Sequence, residues 1–401
     1  MGTLKLAGLA CRVGYHVGKE RCTNPRPLTL REVPPTPDHL TDEWLTLALC
    51  EGVPGARVVS HGLGERNDGT TSRRTLQVQY NEIGRQAELT EFLFTKSNPG
   101  LATRLVAGIG DFAIAESTFY GQIRPELDIE APQTQYTTYD RRTERLMLII
   151  DDVTHTRNAT FGSVVTRELN MDKAEQVVDT LAALHVKYWN APLRKRFGNW
   201  LLDSYEFFNR VDSTASVGKR MLTGFERARD VIVPELYARR AEVPEALEES
   251  LKINTAGPQT LLHGDVHPGN WYVTGDGRMG LYDWQCIVRG GWARDVAYAL
   301  SSHLTVEQRR DWERDLIDRY CGRLAEAGCD VPSSAEAFLA YRQQMMHGMM
   351  FWLMTLGWYR LYPELWPRDI MMESVRRTCQ AAADLDSLDS ILRSGSAIRA
   401  H

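Results

Sequence analysis

Along residues 172–189 the apolar positions recur at helical spacing. Ala174, Val177, Val178, Leu181, Leu184 and Tyr188 fall on one stripe of DKAEQVVDTLAALHVKYW, which predicts an amphipathic helix with one buried face. Upstream the rhythm differs. ARVVSHGLGERNDGTTSRRTLQVQYNEI (56–83) is β-rich on both sides of a Gly/Asn/Asp turn, as in a hairpin. DHLTDEWLTLAL (38–49) reads as a helix that Thr41 can cap, ELTEFLFTKS (88–97) as a strand, IGDFAIAESTFYGQIRPEL (109–127) as a helix, and RLMLIIDDV (145–153) as an apolar run ending in two acids. From 305 onward the pattern is almost wholly helical. Residues 1–36 show no sustained period and run into the Pro-rich NPRPLTLREVPPTP, which predicts an irregular arm. The organisation expected is therefore α+β: an arm (1–36), a β-rich N-terminal lobe (37–152), and a mainly helical C-terminal lobe (153–401), with no internal repeat.

One stretch interrupts the helical lobe. LLHGDVHPGNWYVTGDGRMGLYDWQ (261–285) holds two strand-like runs, NWYV and MGLYDW, around a TGDG turn, with short polar groups packed before and after them. Asp265 stands five residues before Asn270, and Asn270 thirteen before Asp283. The protein-kinase catalytic loop H-R-D-x-x-x-x-N has the same Asp-to-Asn spacing; there the Asp accepts a hydroxyl proton, the Asn holds Mg²⁺, and a later Asp holds Mg²⁺ too. Magnesium takes hard oxygen ligands in near-octahedral geometry, and a carboxylate and an amide on adjacent strands supply two, leaving the rest to phosphate and water. His263 and His267 with Asp265 also raise a zinc reading, but no third soft ligand lies nearby in sequence and zinc leaves Asn270 and Asp283 unexplained. His263 reads better as a packed brace, His267 as structural or close to phosphate, and His185 as a core histidine of the 172–189 helix.

HGDVHPGN and YDWQ match residue for residue the motif H-G-D-x-H-x-x-N followed by D-W or D-F, and the chain from about residue 37 onward resembles the aminoglycoside phosphotransferase and choline kinase family. The resemblance implies a protein-kinase-like two-lobed fold and transfer of the ATP γ-phosphoryl group to a hydroxyl of a small molecule. It makes Asp265 the base, Asn270 and Asp283 the Mg²⁺ ligands, and GLGERNDGTTS (62–72), with Gly64, Gly69 and Thr70, the nucleotide loop. Lys96 becomes the strand lysine on phosphate and Glu116, twenty residues on, its helix partner. LMLIIDDV resembles the inter-lobe hinge, where the carbonyl of Asp151 and the N–H of Val153 would read adenine. Asp295 matches the helix-start aspartate that holds the catalytic loop, with an ordinary N-cap as the alternative. Taken alone, the Gly-rich turn is a common hairpin and Lys96 a solvated charge; the motif gives them their meaning. Met345, Met349, Phe351, Trp352 and Met354 read first as helix core and second as a wall of the acceptor site.

Composition narrows the partners. The net charge is −5 with both signs interspersed, so no nucleic-acid surface is expected. The seven cysteines (11, 22, 50, 286, 321, 329, 379) are dispersed, as reduced thiols are. The N-terminus lacks a signal-peptide core and no apolar run approaches the roughly 18 residues of a membrane span, so a cytoplasmic chain is expected. Three rivals stand beside the small-molecule kinase: a kinase of a Ser or Thr hydroxyl on a peptide, a non-catalytic pseudokinase, and a metal-dependent hydrolase. With Lys96, Asp265, Asn270 and Asp283 all present, the pseudokinase is the weaker reading.

Overall fold

A computed structural model describes residues 3–69, 71–358 and 366–398. Helices α1 (Thr3–Thr23) and α2 (Asp42–Leu49) precede an antiparallel sheet of β1 (Val58–Leu63), β2 (Ser72–Tyr80), β3 (Phe92–Ser97), β4 (Thr134–Asp140) and β5 (Arg145–Asp151), in spatial order β1-β2-β3-β5-β4. The two-residue strand Asn67–Asp68 pairs with the start of β2. Helices α3 (Leu101–Gly110) and α4 (Phe112–Thr118) lie between β3 and β4. Alternation assigns the two faces of the sheet. Leu76, Val78, Tyr80, Leu93, Met147 and Ile149 are buried with Trp44 and Leu45 of α2, whose first turn Thr41 caps by accepting the Trp44 N–H at 3.1 Å. The opposite face carries Arg73, Thr75, Phe94, Lys96, Leu148 and Ile150 into a cleft.

The C-terminal lobe is helical. Its amphipathic helix α5 (Met171–Lys187) buries the predicted stripe, with Ala174, Val177, Val178, Leu181 and Leu184 nearly inaccessible. Every residue of α6 (Ala293–His303) is buried, and α6 packs against α7 (Met345–Leu356). Two small antiparallel ladders are set among these helices: Trp271–Val273 with Met279–Leu281, and Thr260–Leu262 with Val288–Gly290. The polar stretch at 261–285 is thus the loop and hairpin running between them. The main hydrophobic core is continuous across the lobes, with Phe119 stacked on Trp284 at 3.7 Å between ring centres. Among the described residues no helix is long and apolar enough to cross a membrane.

Two expectations need correction. Residues 3–23, read as irregular, form α1. Among the described side chains its buried apolar stripe is Leu9, Val13 and Val17, and Gly8, Gly14 and Gly18 blur the period. The helix is held by docking: the stripe meets Leu105 and Ile109 of α3, and Glu20 pairs with the buried Arg104 and with Arg145 at 2.6 and 2.8 Å. The helix read over 109–127 is not continuous. It starts at Leu101, breaks at Asp111 in a left-handed conformation (φ 54°), resumes as α4, then widens into a π turn (Phe119–Ile123) and tightens into a 3-10 turn (Arg124–Glu126).

Candidate active site

The site is assembled on the loop that follows Thr260–Leu262. At Gly264 the backbone is left-handed (φ 80°), and a Cβ there would lie 2.3 Å from the Cys286 carbonyl oxygen, so only glycine fits. Asp295 lies in the first turn of α6 but is not its N-cap; Trp292 holds that position. The fully buried Asp295 carboxylate instead accepts the N–H groups of His263 (2.7 Å) and Gly264 (3.1 Å), with His185 behind it at 3.5 Å. Burial opposes that charge, yet the hydrogen-bonded His185 and the nearby His263 and Arg294 hold the Asp295 carboxyl below the usual range. His263 Nδ1 accepts the Asp265 N–H at 3.2 Å while Nε2 donates to the Tyr282 carbonyl at 3.1 Å, so one neutral tautomer ties the loop to the strand leading to Asp283.

Asp265 is 5% exposed. The Asn270 amide donates to its carbonyl at 2.8 Å and its carboxylate at 3.3 Å, and the Tyr298 hydroxyl reaches Oδ1 at 3.5 Å. Burial, then the charge of Asp283, pushes its carboxyl up to about 8. Asn270 thus spends its N–H₂ on Asp265, and its Oδ1 is the atom left for a cation. The Tyr282 N–H donates to the Asn270 carbonyl at 3.0 Å, which puts Asn270 beside the residue preceding Asp283. Asp283 itself is left-handed (φ 66°, ψ 63°), a conformation uncommon outside glycine and concentrated at functional sites.

From the sheet, Lys96 Nζ donates to Glu116 Oε1 and to Asp283 Oδ1, both at 2.7 Å. Arg73 Nη2 reaches Asp283 Oδ2 at 3.2 Å. Burial disfavours the Asp283 charge, but Lys96 and Arg73 hold its carboxyl below the ordinary range. Burial raises that of Glu116 even with Lys96 against it. These groups face a cavity of about 290 Å³ that runs back to Asp151, Asp152 and Val153. There β5 ends: the Asp152 N–H donates to the Phe92 carbonyl at 3.0 Å, and Val153 opens a helical turn whose first N–H has no acceptor within it. The Asp151 carboxylate is taken up by the Gln133 N–H, Arg157 and Thr156.

The glycine loop fits its expectation less well. Gly64 and Gly69 are not among the described residues lining the cleft, whereas Asn67 is. Gly64 is needed for packing: a Cβ would lie 2.1 Å from Thr75 Oγ1. Gly69 donates to the Thr71 carbonyl at 2.9 Å and has open space around it, and Thr70 lies outside the described residues. His267 is neutral, burial driving it down to about 3; it accepts the Gly269 N–H at 3.0 Å and packs near Phe351, Trp352 and Trp366. Among the described residues no group of three His, Cys, Asp or Glu side chains is placed to hold a metal, so the zinc reading finds no support. Met345, Met349 and Trp352 are core, while Phe351 and Met354 are only partly buried, and the Phe351 ring lies 5.9 Å from that of Tyr298. Sequence reading missed Arg73, Asn67 and Tyr298. The β2 alternation could have found Arg73, since it shares the face of Thr75, opposite Leu76 and Val78. A larger hollow of about 450 Å³, walled by Trp189, Trp292 and Asp330, contains none of these residues, so size does not select the site.

No curated protein matches the chain in sequence. Among solved structures, similar folds include the macrolide 2'-phosphotransferase MphH from Brachybacterium faecium (14% identity, 74% of this chain and 84% of that one, TM-score 0.43). They also include an aminoglycoside phosphotransferase from Alicyclobacillus acidocaldarius (16%, 83% and 93%, 0.45) and the choline kinase LicA from Streptococcus pneumoniae (12%, 82% and 94%, 0.43). Likenesses this remote bear on neither substrate nor mechanism. The phosphotransferase enzyme family model matches residues 136–334, which take in residues 151–153, Asp265, Asn270, Asp283 and Asp295, while Lys96, Glu116 and Arg73 lie before it. The matched span covers 199 of the 401 residues, and over it the chain is similar to the phosphotransferase enzyme family, enzymes that move a phosphoryl group onto a hydroxyl acceptor.

Proposed function

We propose that the chain transfers the γ-phosphoryl group of Mg·ATP to a hydroxyl of a small molecule in the cleft between residues 37–152 and 153–401. The observation that supports this most is the convergence at Asp283: Lys96, 187 positions away in sequence, meets it at 2.7 Å, beside the Asp265–Asn270 loop. The oxygen donors fit a hard cation, since Asn270 has its amide oxygen left over and the Asp283 carboxylate is held ionised. Bound Mg²⁺ would supply charge neutralisation on the phosphate oxygens, and Asn270 and Asp283 would hold it.

The remaining roles belong to the chain's own side chains. Lys96, oriented by Glu116, clamps phosphate. The Asp151 carbonyl and Val153 N–H read the base, because the Asp151 carboxylate is already committed within the hinge. Asn67, the residue of the glycine loop that lines the cleft, brings that loop toward the phosphates. Asp265 orients the acceptor hydroxyl and takes its proton. Its raised carboxyl leaves it mostly protonated at neutral pH in the ligand-free cleft, burial being the larger cause and the charge of Asp283 the second; a cation on Asp283 would weaken only that second cause and so favour the ionised base. Phosphoryl transfer has a loose transition state, so this machinery acts by positioning and charge rather than by covalent chemistry.

A panel of hydroxylated small molecules and Ser/Thr peptides, incubated with Mg·ATP or Mg·GTP and read by mass spectrometry, tests the proposal. A gain of one phosphoryl group on a small molecule supports it. Transfer to peptides alone refutes the acceptor class, and absence of any transfer with ATP refutes the reading as a whole.

A further inference from the structure

The register of β2 against β3 sets Arg73 directly opposite Lys96 on the cleft face. Like charges opposite each other in an antiparallel pair repel, and something has to offset that here. The offset is Asp283, whose two oxygens are divided: Oδ1 to Lys96 at 2.7 Å and Oδ2 to Arg73 at 3.2 Å. The two cations are not equally provided for. Lys96 has a second carboxylate in Glu116, whereas among the described residues Arg73 has no carboxylate but Asp283.

That asymmetry has a consequence, which rests on the reading of Asp283 as a magnesium ligand. When Asp283 turns its oxygens to a cation, Lys96 keeps Glu116 and Arg73 is left without an anion. Arg73 is still partly open, with 30% of its side chain exposed, and it lines the cleft. It also sits at the base of the glycine loop, paired with Asn67. A guanidinium in that place presents a planar fork of donors matched to phosphate oxygens, which a lysine does not.

We propose that Arg73 is a second phosphate-binding residue, released by the metal. Without metal it occupies Asp283; when Asp283 takes Mg²⁺, Arg73 exchanges that carboxylate for the terminal phosphate of the nucleotide. It thereby adds positive charge on the group being transferred, while Lys96 serves the inner phosphates. The exchange makes the cleft respond to nucleotide and metal together.

The test is calorimetric and needs no turnover. Arg73→Met and Arg73→Lys are titrated with Mg²⁺ plus either ADP or the non-hydrolysable analogue adenylyl imidodiphosphate. Loss of one charge-assisted hydrogen bond to the terminal phosphate predicts an affinity for the triphosphate analogue about tenfold or more weaker in Arg73→Met. ADP affinity changes by less than about threefold, because the contact is to a phosphate ADP lacks. Arg73→Lys is intermediate, and the Mg²⁺ requirement for ADP binding is unchanged or lower in both, since a competitor for Asp283 has gone. Should Arg73→Met not fold, Arg73→Gln is read by the same ratio. Equal losses for ADP and the analogue, no loss for either, or a higher Mg²⁺ requirement each overturn the inference and leave the nucleotide site standing. A wild-type protein that binds neither nucleotide overturns the site reading together with it.

Discussion

Replacing Asp265 by Asn is expected to stabilise the metal-free protein while removing its activity. In the unfolded chain the carboxyl titrates near 3.8; in the folded protein burial, then the charge of Asp283, raises it to about 8. The folded state therefore retains a proton that the unfolded state releases throughout this window. Stability contributed by that proton is complete at low pH, declines as pH rises from the ordinary carboxyl range, and is gone above about 8. From 3.8 to neutrality is about three units at ~1.4 kcal/mol each, so the ionisable group costs up to ~4 kcal/mol at neutral pH. An amide cannot ionise, and its oxygen can still accept from Asn270 and Tyr298. We expect Asp265→Asn to gain ~2 kcal/mol or more at and above neutral pH and to lose the slope across the window. Urea unfolding with chelator present, at several pH values, measures both quantities. The same variant is expected to lose ~10²–10⁴-fold in turnover, the usual worth of a positioned base. An unfolding midpoint and pH slope equal to wild type would refute the account of Asp265 as a buried, reluctant carboxylate.

Three further outcomes follow from the same geometry. Asp295→Ala leaves the buried N–H groups of His263 and Gly264 without their acceptor, at ~1–3 kcal/mol each. Denaturant unfolding should show the summed loss, and retention of full stability would mean that water or another group holds the loop. Asp283→Ala should weaken Mg-dependent nucleotide affinity more than Asn270→Ala, because a carboxylate offsets the cation's charge and an amide does not; calorimetry giving the reverse order would reassign the ligands. Met349→Ala should cost ~2–5 kcal/mol as a cavity in fully buried core with little kinetic effect. Phe351→Ala, on the partly open side of α7, should raise acceptor KM well above any change in nucleotide KM, and equal kinetic effects of the two variants would place the acceptor elsewhere.

What was legible in the sequence was whatever the chain encodes locally. The stripe of α5, the Thr41 cap, the alternation of β2 and the spacing of Asp265, Asn270 and Asp283 all depend on neighbours a few residues away, and each has its counterpart in the fold. Three kinds of feature were hidden. Among its described side chains α1 carries three core residues, Leu9, Val13 and Val17, and its stability comes from α3 and the Glu20 pairs, which lie some 80 to 125 residues ahead. β4 reads TQYTTYD, with every residue half-buried, so no period announces it. Arg73 looks like one of two surface arginines in SRRT until the β2–β3 register sets it opposite Lys96. The N-cap alternative for Asp295 was open on sequence grounds, and the zinc alternative was the weaker reading there. Only the placement of the carboxylates and the buried donors around them separates these readings.

The most direct test is a crystal structure of the protein with Mg²⁺ and adenylyl imidodiphosphate. The account predicts the base against residues 151–153, a magnesium ion bound by Asn270 and Asp283, Lys96 on the inner phosphates, and the terminal phosphate facing Asp265. Nucleotide bound outside this cleft, or a metal held without Asn270 and Asp283, would contradict it.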